Sequence, residues 1–334
     1  MNNKIKYISC YYPDKVTTNQ DLQEEFPNLK IKELTRLTGV TSRHISNDLT
    51  SVDMGVEAAR NLFKKTNIDK SIIDFVIFCS AGGDYITPAS ACIIQDKLGL
   101  SQNCGAFDIN QGCTGYIYGI SLADSLITSG NAQNILLITS EAITKTIHIK
   151  DSSNRAIFGD AATASLITKS GDERTGGFVF GTDGSKFDKI IIKNGRERYP
   201  LPAFAELDRM DNYGNVLNDA NFYMDGSEVF NFSVTKAPEL VSKILQNHGI
   251  TFDEIDYFIF HQANQIILET LGKKLKIPNE KLIIDIEKTG NTVSSTIPIA
   301  LHNAIDKGVI NVGDKVLLAG FGVGFSWGGT IISI

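Results

Sequence analysis

IDKSIIDFVIFCSA, residues 68–81, and ITFDEIDYFIFHQA, residues 250–263, align without a gap at an offset of 256 − 74 = 182 positions. Ile, Ile, Asp, Ile, Phe and Ala coincide. Each copy closes on a short apolar run, Phe75 to Phe78 and Tyr257 to Phe260, which reads as a buried strand. Each follows a helix-like segment, Met54 to Lys65 and Lys236 to Asn247. Further along, NILLITS (Asn134 to Ser140) matches KVLLAGF (Lys315 to Phe321) in pattern, and FGDAATASLIT from Phe158 resembles FGVGFSWGGTIIS from Phe321. Strands of α/β proteins share Ile, Val and Phe, which explains the apolar runs but not one offset kept through helix, turn and strand. The pattern predicts an internal duplication into two α/β halves. The boundary is expected near Lys169 to Arg174, where KSGDERTGG gathers charge and glycine, giving halves 1–170 and 171–334. Residues 183–223 are less periodic and rich in Asn, Asp, Arg and Pro, and read as loops inserted in the second half.

Bulk properties narrow the function. A chain of 334 residues suits two fused halves, and 42% hydrophobic content is ordinary for a globular protein. No apolar run is long enough to span a bilayer, and the start, MNNKIKYISCYYP, lacks a signal core, so no membrane association and a cytoplasmic location are expected. Five cysteines in no C-x-x-C pair fit reduced thiols better than a disulfide framework or a zinc site. A net charge of −6 argues against a nucleic-acid partner. Neither a metal nor a cofactor is expected.

Cys113 stands out in DINQGCTGYIYG, residues 108–119. Ile117, Ile120, Ala123 and Ile127 fall on one helical face, Leu122 and Leu126 widen it, and Gly130 is a helix stop. Gly115 and Gly119 each cost a helix about 1 kcal/mol relative to Ala, which predicts the close approach of another backbone. A thiol at the start of this helix would have its pKa lowered by the free N–H groups and the dipole. Cys10, Cys79, Cys92 and Cys104 read as small buried hydrophobes. Among five histidines only His261 ends a repeated strand, where loops of an α/β unit carry chemistry. Asn291 follows Gly290 in a turn, with Thr292 to Ser295 as capping hydroxyls before Pro298. GFGVGFSWGG, residues 320–329, can present backbone N–H groups to an oxyanion, or simply turn into the last strand.

Cys, His and Asn in that order also describe papain-like proteases, and the Cys-to-His spacing, 261 − 113 = 148, is compatible. The protease signature around the cysteine is absent, and an α/β duplication is the wrong architecture. TGVTSRHIS, TPASACIIQDKLG, DINQGCTGYIYG, RAIFGDAATA, MDGSEVF, FHQAN, GNTVSSTIPIAL and GFGVGFSWG occur in this order along the chain. Together they resemble the thiolase superfamily, and within it the β-ketoacyl-acyl carrier protein synthase III branch.

The resemblance implies a five-layered αβαβα fold and a homodimer. It implies a decarboxylative condensation of an acyl primer, carried on coenzyme A or a carrier protein, with malonyl-acyl carrier protein. Cys113 would take the acyl group, backbone N–H groups of Cys113 and Val323 would hold the oxyanion, and His261 and Asn291 would donate to the thioester carbonyl of the extender. Thr87 and Phe321 would line the acyl tunnel, Thr87 from the partner, and a threonine there would admit a longer or branched primer. Basic residues Lys273, Lys274 and Lys276 could meet an acidic carrier protein, or, for at least some of them, simply form a solvated helix face. Positions that bind coenzyme A in the branch carry Glu33 and Leu37 here. An arginine after HQAN is replaced within Gln265 to Ile267, and a lysine after EVF is Asn231. These departures point to a specialised synthase charged from a carrier protein. Rival readings are a non-decarboxylating acyltransferase on the same fold, passing the Cys-bound group to an alcohol, amine or thiol, and a non-catalytic partner subunit.

Overall fold

The computed structural model describes residues 3–170, 177–200, 208–211 and 214–334. Five strands of the first half, β1 (Asn3–Tyr11), β2 (Phe75–Cys79), β3 (Gly105–Ile109), β4 (Asn134–Glu141) and β5 (Ala161–Lys169), form a sheet in the order β1-β5-β4-β2-β3. β2 runs parallel to β3 and β4, while β5 is antiparallel to β4 and β1. The second sheet contains β6 (Val179–Thr182), β7 (Tyr257–Phe260), β8 (Lys315–Gly322) and β9 (Ser326–Ser333) in the order β7-β8-β9-β6. Here too β7 and β8 are parallel, and β9 is antiparallel to both its neighbours. Leu282 makes a parallel bridge to Phe258, at the place β3 holds beside β2. The strands sharing the 182-residue offset, β2 and β7, thus occupy matching positions.

Six helices complete the frame: α1 (Ser51–Thr66), α2 (Ser90–Leu98), α3 (Gly115–Thr128), α4 (Gly226–His248), α5 (Gln265–Leu275) and α6 (Thr296–Asp306). Successive strand residues point to opposite faces, and this alternation sets the layers. Val76, Phe78, Leu136 and Ile138 pack with α1 and α2 on the outside of the first sheet. Ile77, Ile135 and Leu137 turn inward to α3 and α6, and meet Ile259, Val316 and Leu318 from the second sheet. Phe258, Phe260, Leu317 and Ala319 face α4 and α5. Both sheets are covered on both faces, so their strands read as unbroken apolar runs. The result is the five-layered αβαβα arrangement, with α3 and α6 as its central layer.

Three expectations need correction. Leu122 lies outside the apolar face of α3 and is 40% exposed. Gly115 and Gly119 are crowded by side chains rather than a backbone: a Cβ at Gly119 would sit 2.6 Å from Leu137 Cδ1, and one at Gly115 would sit 2.3 Å from Cys79 Sγ. The hydroxyls of Ser294 and Ser295 do not cap α6; they reach into the first half, to Glu141 and Thr139. The expected boundary falls partly on Gly171 to Arg174, outside the described residues. Of the insertion, the described part holds only two-residue strands and one 3₁₀ segment, Gly184–Lys189. Among the described residues no helix is long and apolar enough to cross a membrane.

Candidate active site

The sulfur of Cys113 lies between the two halves. The β3 exit carries it to the start of α3, whose first residue is Gly115 and whose N-cap is Thr114. The end of β8 passes directly over it. A Cβ at Gly322 would stand 2.6 Å from Cys113 Sγ, and one at Gly320 would stand 2.8 Å from the Cys113 carbonyl oxygen. Glycine at both positions is therefore a steric requirement of the site. The hairpin between β8 and β9 makes the tight turn, and it also brings the Val323 N–H to the sulfur.

The thiol pKa moves against the expectation. Burial pushes Cys113 up to about 12; the backbone N–H groups of Val323 and Cys113 pull it down, and the Glu141 carboxylate adds to the rise. Desolvation of a thiolate in an apolar wall outweighs the helix terminus. The Cys113 side chain is a neutral thiol at neutral pH, and the two amides that counter its burial are those the sequence reading expected in an oxyanion hole.

His261 follows β7 and is 1% exposed. Its backbone N–H donates to the Ala319 carbonyl at 2.8 Å, and its ring Nδ1 lies 2.7 Å from Thr296 Oγ1. Burial lowers its pKa to about 3, so the imidazole is neutral at physiological pH. Asn291 is pinned from the first half: its N–H donates to the Ile157 carbonyl at 2.9 Å and its carbonyl accepts from Gly159 at 3.2 Å. Its Oδ1 accepts the Val293 N–H at 2.9 Å, and its Nδ2 lies 3.5 Å from the Ala263 carbonyl. With Oδ1 engaged, the amide NH₂ is the edge left for a ligand.

Cys113, His261, Asn291, Phe321 and Val323 all line one cavity of about 640 Å³. Thr87 does not line it; it is an exposed residue of the loop before α2. Lys273 and Lys274 lie on the exposed side of α5, where Lys274 Nζ donates to the Val234 carbonyl at 3.0 Å. Cys10, Cys79, Cys92 and Cys104, and the other four histidines, lie off the cavity wall. Cys92 is exposed rather than a buried hydrophobe, because its position on α2 faces away from the first sheet.

Much of the remaining wall escaped the sequence reading. Ile143, Phe158, Ile190, Phe222 and Met224 form an apolar lobe, with Arg196 also on the wall. Several of these come from the insertion, whose lack of periodicity hid them. Glu141 was missed as well. It is buried, accepts from Ser294, Ser80 and the Ala81 N–H, and is pushed by burial up to about 8.

Two family models match the chain. That for 3-oxoacyl-[acyl-carrier-protein (ACP)] synthase III matches residues 107–184, and that for the C-terminal part of the same proteins matches residues 245–334. A β-ketoacyl-[acyl-carrier-protein] synthase III of Clostridium perfringens is 35% identical over 334 residues, 100% of this chain and 99% of the relative. A 3-oxoacyl-(acyl-carrier-protein) synthase III crystal structure superposes with a TM-score of 0.98 at 39% identity, covering 100% of both chains. A 3-oxoacyl-(acyl-carrier protein) synthase from Burkholderia xenovorans gives a TM-score of 0.92 at 30% identity, over 100% of this chain and 94% of that one.

Proposed function

The chain belongs to the 3-oxoacyl-[acyl-carrier-protein] synthase III family, and from that premise we propose that Cys113, His261 and Asn291 carry its reaction. The enzyme condenses an acyl primer with malonyl-acyl carrier protein, with loss of CO₂, to a β-ketoacyl product. In the first half-reaction Cys113 Sγ attacks the primer thioester. The thioester oxygen gains charge between the N–H groups of Cys113 and Val323, the primer carrier leaves as a thiol, and the S–H proton ends on it. In the second, malonyl thioester loses CO₂, and its carbonyl oxygen takes up enolate charge facing His261 and Asn291. The enolate carbon then attacks the acyl carbon on Cys113, which releases the sulfur to take up a proton again.

The observation that carries this reading is the convergence of the neutral imidazole, the oriented carboxamide and the sulfur on one cavity wall. Neutral donors aimed at developing charge in a water-poor site stabilise the transition state more than the ground state. This is also why a non-decarboxylating acyltransferase is not favoured: simple acyl transfer leaves Asn291 without a task. The test is intact-protein mass spectrometry after incubation with acyl-coenzyme A and acyl-carrier donors, paired with CO₂ release from malonyl thioester. Acylation at Cys113 together with CO₂ release is expected. Acyl transfer to an acceptor without CO₂ would overturn the reading.

The apolar lobe supports a primer longer than acetyl, which the same donor panel ranks. A homodimer is supported by β3, which forms an open sheet edge, and by Tyr85 and Ile86, 65% and 75% exposed in the loop that carries Thr87. Sedimentation at micromolar concentration checks it, and a monomer would leave Thr87 without a tunnel to line. The N-terminal half would then supply the nucleophile and the C-terminal half the imidazole and carboxamide. A cytoplasmic location goes with this role.

A further inference from the structure

Thr296 is the first residue of α6 and is 2% exposed. Its hydroxyl lies 2.7 Å from His261 Nδ1 and 3.1 Å from the Val293 carbonyl, and it has one hydrogen to give to one of the two. The Val293 carbonyl is already served by the N–H of Thr296 itself. His261 Nδ1 has no other partner among the described residues, and a buried ring nitrogen left unpaired is costly. The ring is uncharged, so one nitrogen carries its hydrogen and the partner of the other decides which. A hydroxyl spent on Val293 would leave Nε2 bare, and a bare nitrogen repels a thioester oxygen.

We infer that Thr296 is a positioning residue for the condensation: its hydroxyl donates to His261 Nδ1 and so keeps the hydrogen on Nε2, the edge that meets the substrate. The inference rests on the role assigned to His261 above. Val293 ties the same device to the second donor. Its backbone is left-handed, φ 54°, an unusual state for a β-branched residue. In that state its N–H reaches Asn291 Oδ1 while its carbonyl faces Thr296. One strained residue therefore sets the carboxamide on one side and the imidazole's partner on the other.

Thr296→Val keeps shape and volume, and it removes no helix cap, because α6 has no side-chain cap. CO₂ release from malonyl-coenzyme A should fall roughly 10- to 100-fold, the scale on which loss of an orienting partner acts. Acylation of Cys113, followed by intact mass, should stay at the wild-type rate. Thr296→Ser should restore most of the CO₂ release. In ¹⁵N-histidine-labelled protein, the His261 signals, identified by their loss in His261→Ala, should report hydrogen on Nε2 in the wild type and a changed pattern in Thr296→Val. A wild-type signal with hydrogen on Nδ1, or an equal fall of acylation and CO₂ release in Thr296→Val, would overturn the inference. If His261→Ala left CO₂ release intact, the assignment of His261 itself would fail, an outcome separate from both.

Discussion

Where β2 ends the chain has Cys79, and at the matching point after β7 it has His261, 261 − 79 = 182 residues later. Cys79 is buried, its Sγ donating to the Gln111 carbonyl at 3.4 Å, and it fills the space beneath Gly115. His261 instead lines the cavity. The helix starts reverse the roles. Counting the same offset, Cys113 corresponds to Ser295 and Thr114 to Thr296. The Cys113 sulfur faces the cavity, whereas Ser295 is buried against Thr139. Thr114 Oγ1 bonds Ser326 Oγ at 2.9 Å, whereas Thr296 Oγ1 meets the imidazole. One frame used twice brings a thiol to the cavity from a helix start in one half and an imidazole from a strand end in the other, the two groups proposed as nucleophile and hydrogen-bond donor. The frame repeats the backbone positions; which of each equivalent pair reaches the cavity, and what it does there, differs between the halves.

The largest difference is expected when each of the two thiols is removed in turn. Cys113→Ala should cost roughly 10⁴-fold or more in condensation, as loss of a nucleophile does, while Cys79→Ser should still be acylated at Cys113. Both are read by intact mass and product formation. An acylated Cys79 would refute the division of roles. His261→Ala should lower CO₂ release by about 10²- to 10³-fold, the scale for one missing oxyanion donor, and leave primer loading in place. Gly322→Ala puts a methyl into the space of the Cys113 sulfur, and a displacement near 1 Å costs about 100-fold; loading of Cys113 should fall accordingly, without loss of the fold by circular dichroism.

Proton linkage sharpens the comparison further. His261 titrates near 3 in the folded chain against an ordinary value of 6.5. The condensation rate should therefore show no imidazole inflection near pH 6.5. Between those values the unfolded chain binds the extra proton, so this group weakens the fold as pH falls through the window. Glu141 acts the other way. Its carboxyl is raised from 4.5 to about 8, so the folded chain holds the extra proton and stability declines as pH rises across that range. Tm against pH should flatten at the acid end in His261→Asn and at the neutral end in Glu141→Gln. The smallest effect is expected at the surface. Lys273→Glu should change the carrier-dependent rate by only a few-fold and alter its salt dependence, as an exposed charge at the rim of a contact does.

The sequence by itself determined the duplication, the two sheets and the three polar residues at loop ends. Those features depend on local chemistry: a strand buried on both faces must be apolar throughout, and a helix must stop at a residue such as Gly130, whose φ is 80°. Tertiary structure alone decided the rest. The Cys113 thiol rises instead of falling, because its neighbours from β8 and the insertion exclude water, and no motif encodes that solvation. Thr87, expected at the partner's tunnel, is exposed in its own chain and stays a proposal that rests on the dimer. Ser294 and Ser295 read as caps, but contacts more than 150 positions away claim their hydroxyls. Thr296 gave no signal at all, since a threonine opening a helix is commonplace. It acquires a task only when folding brings a buried imidazole 2.7 Å from its oxygen.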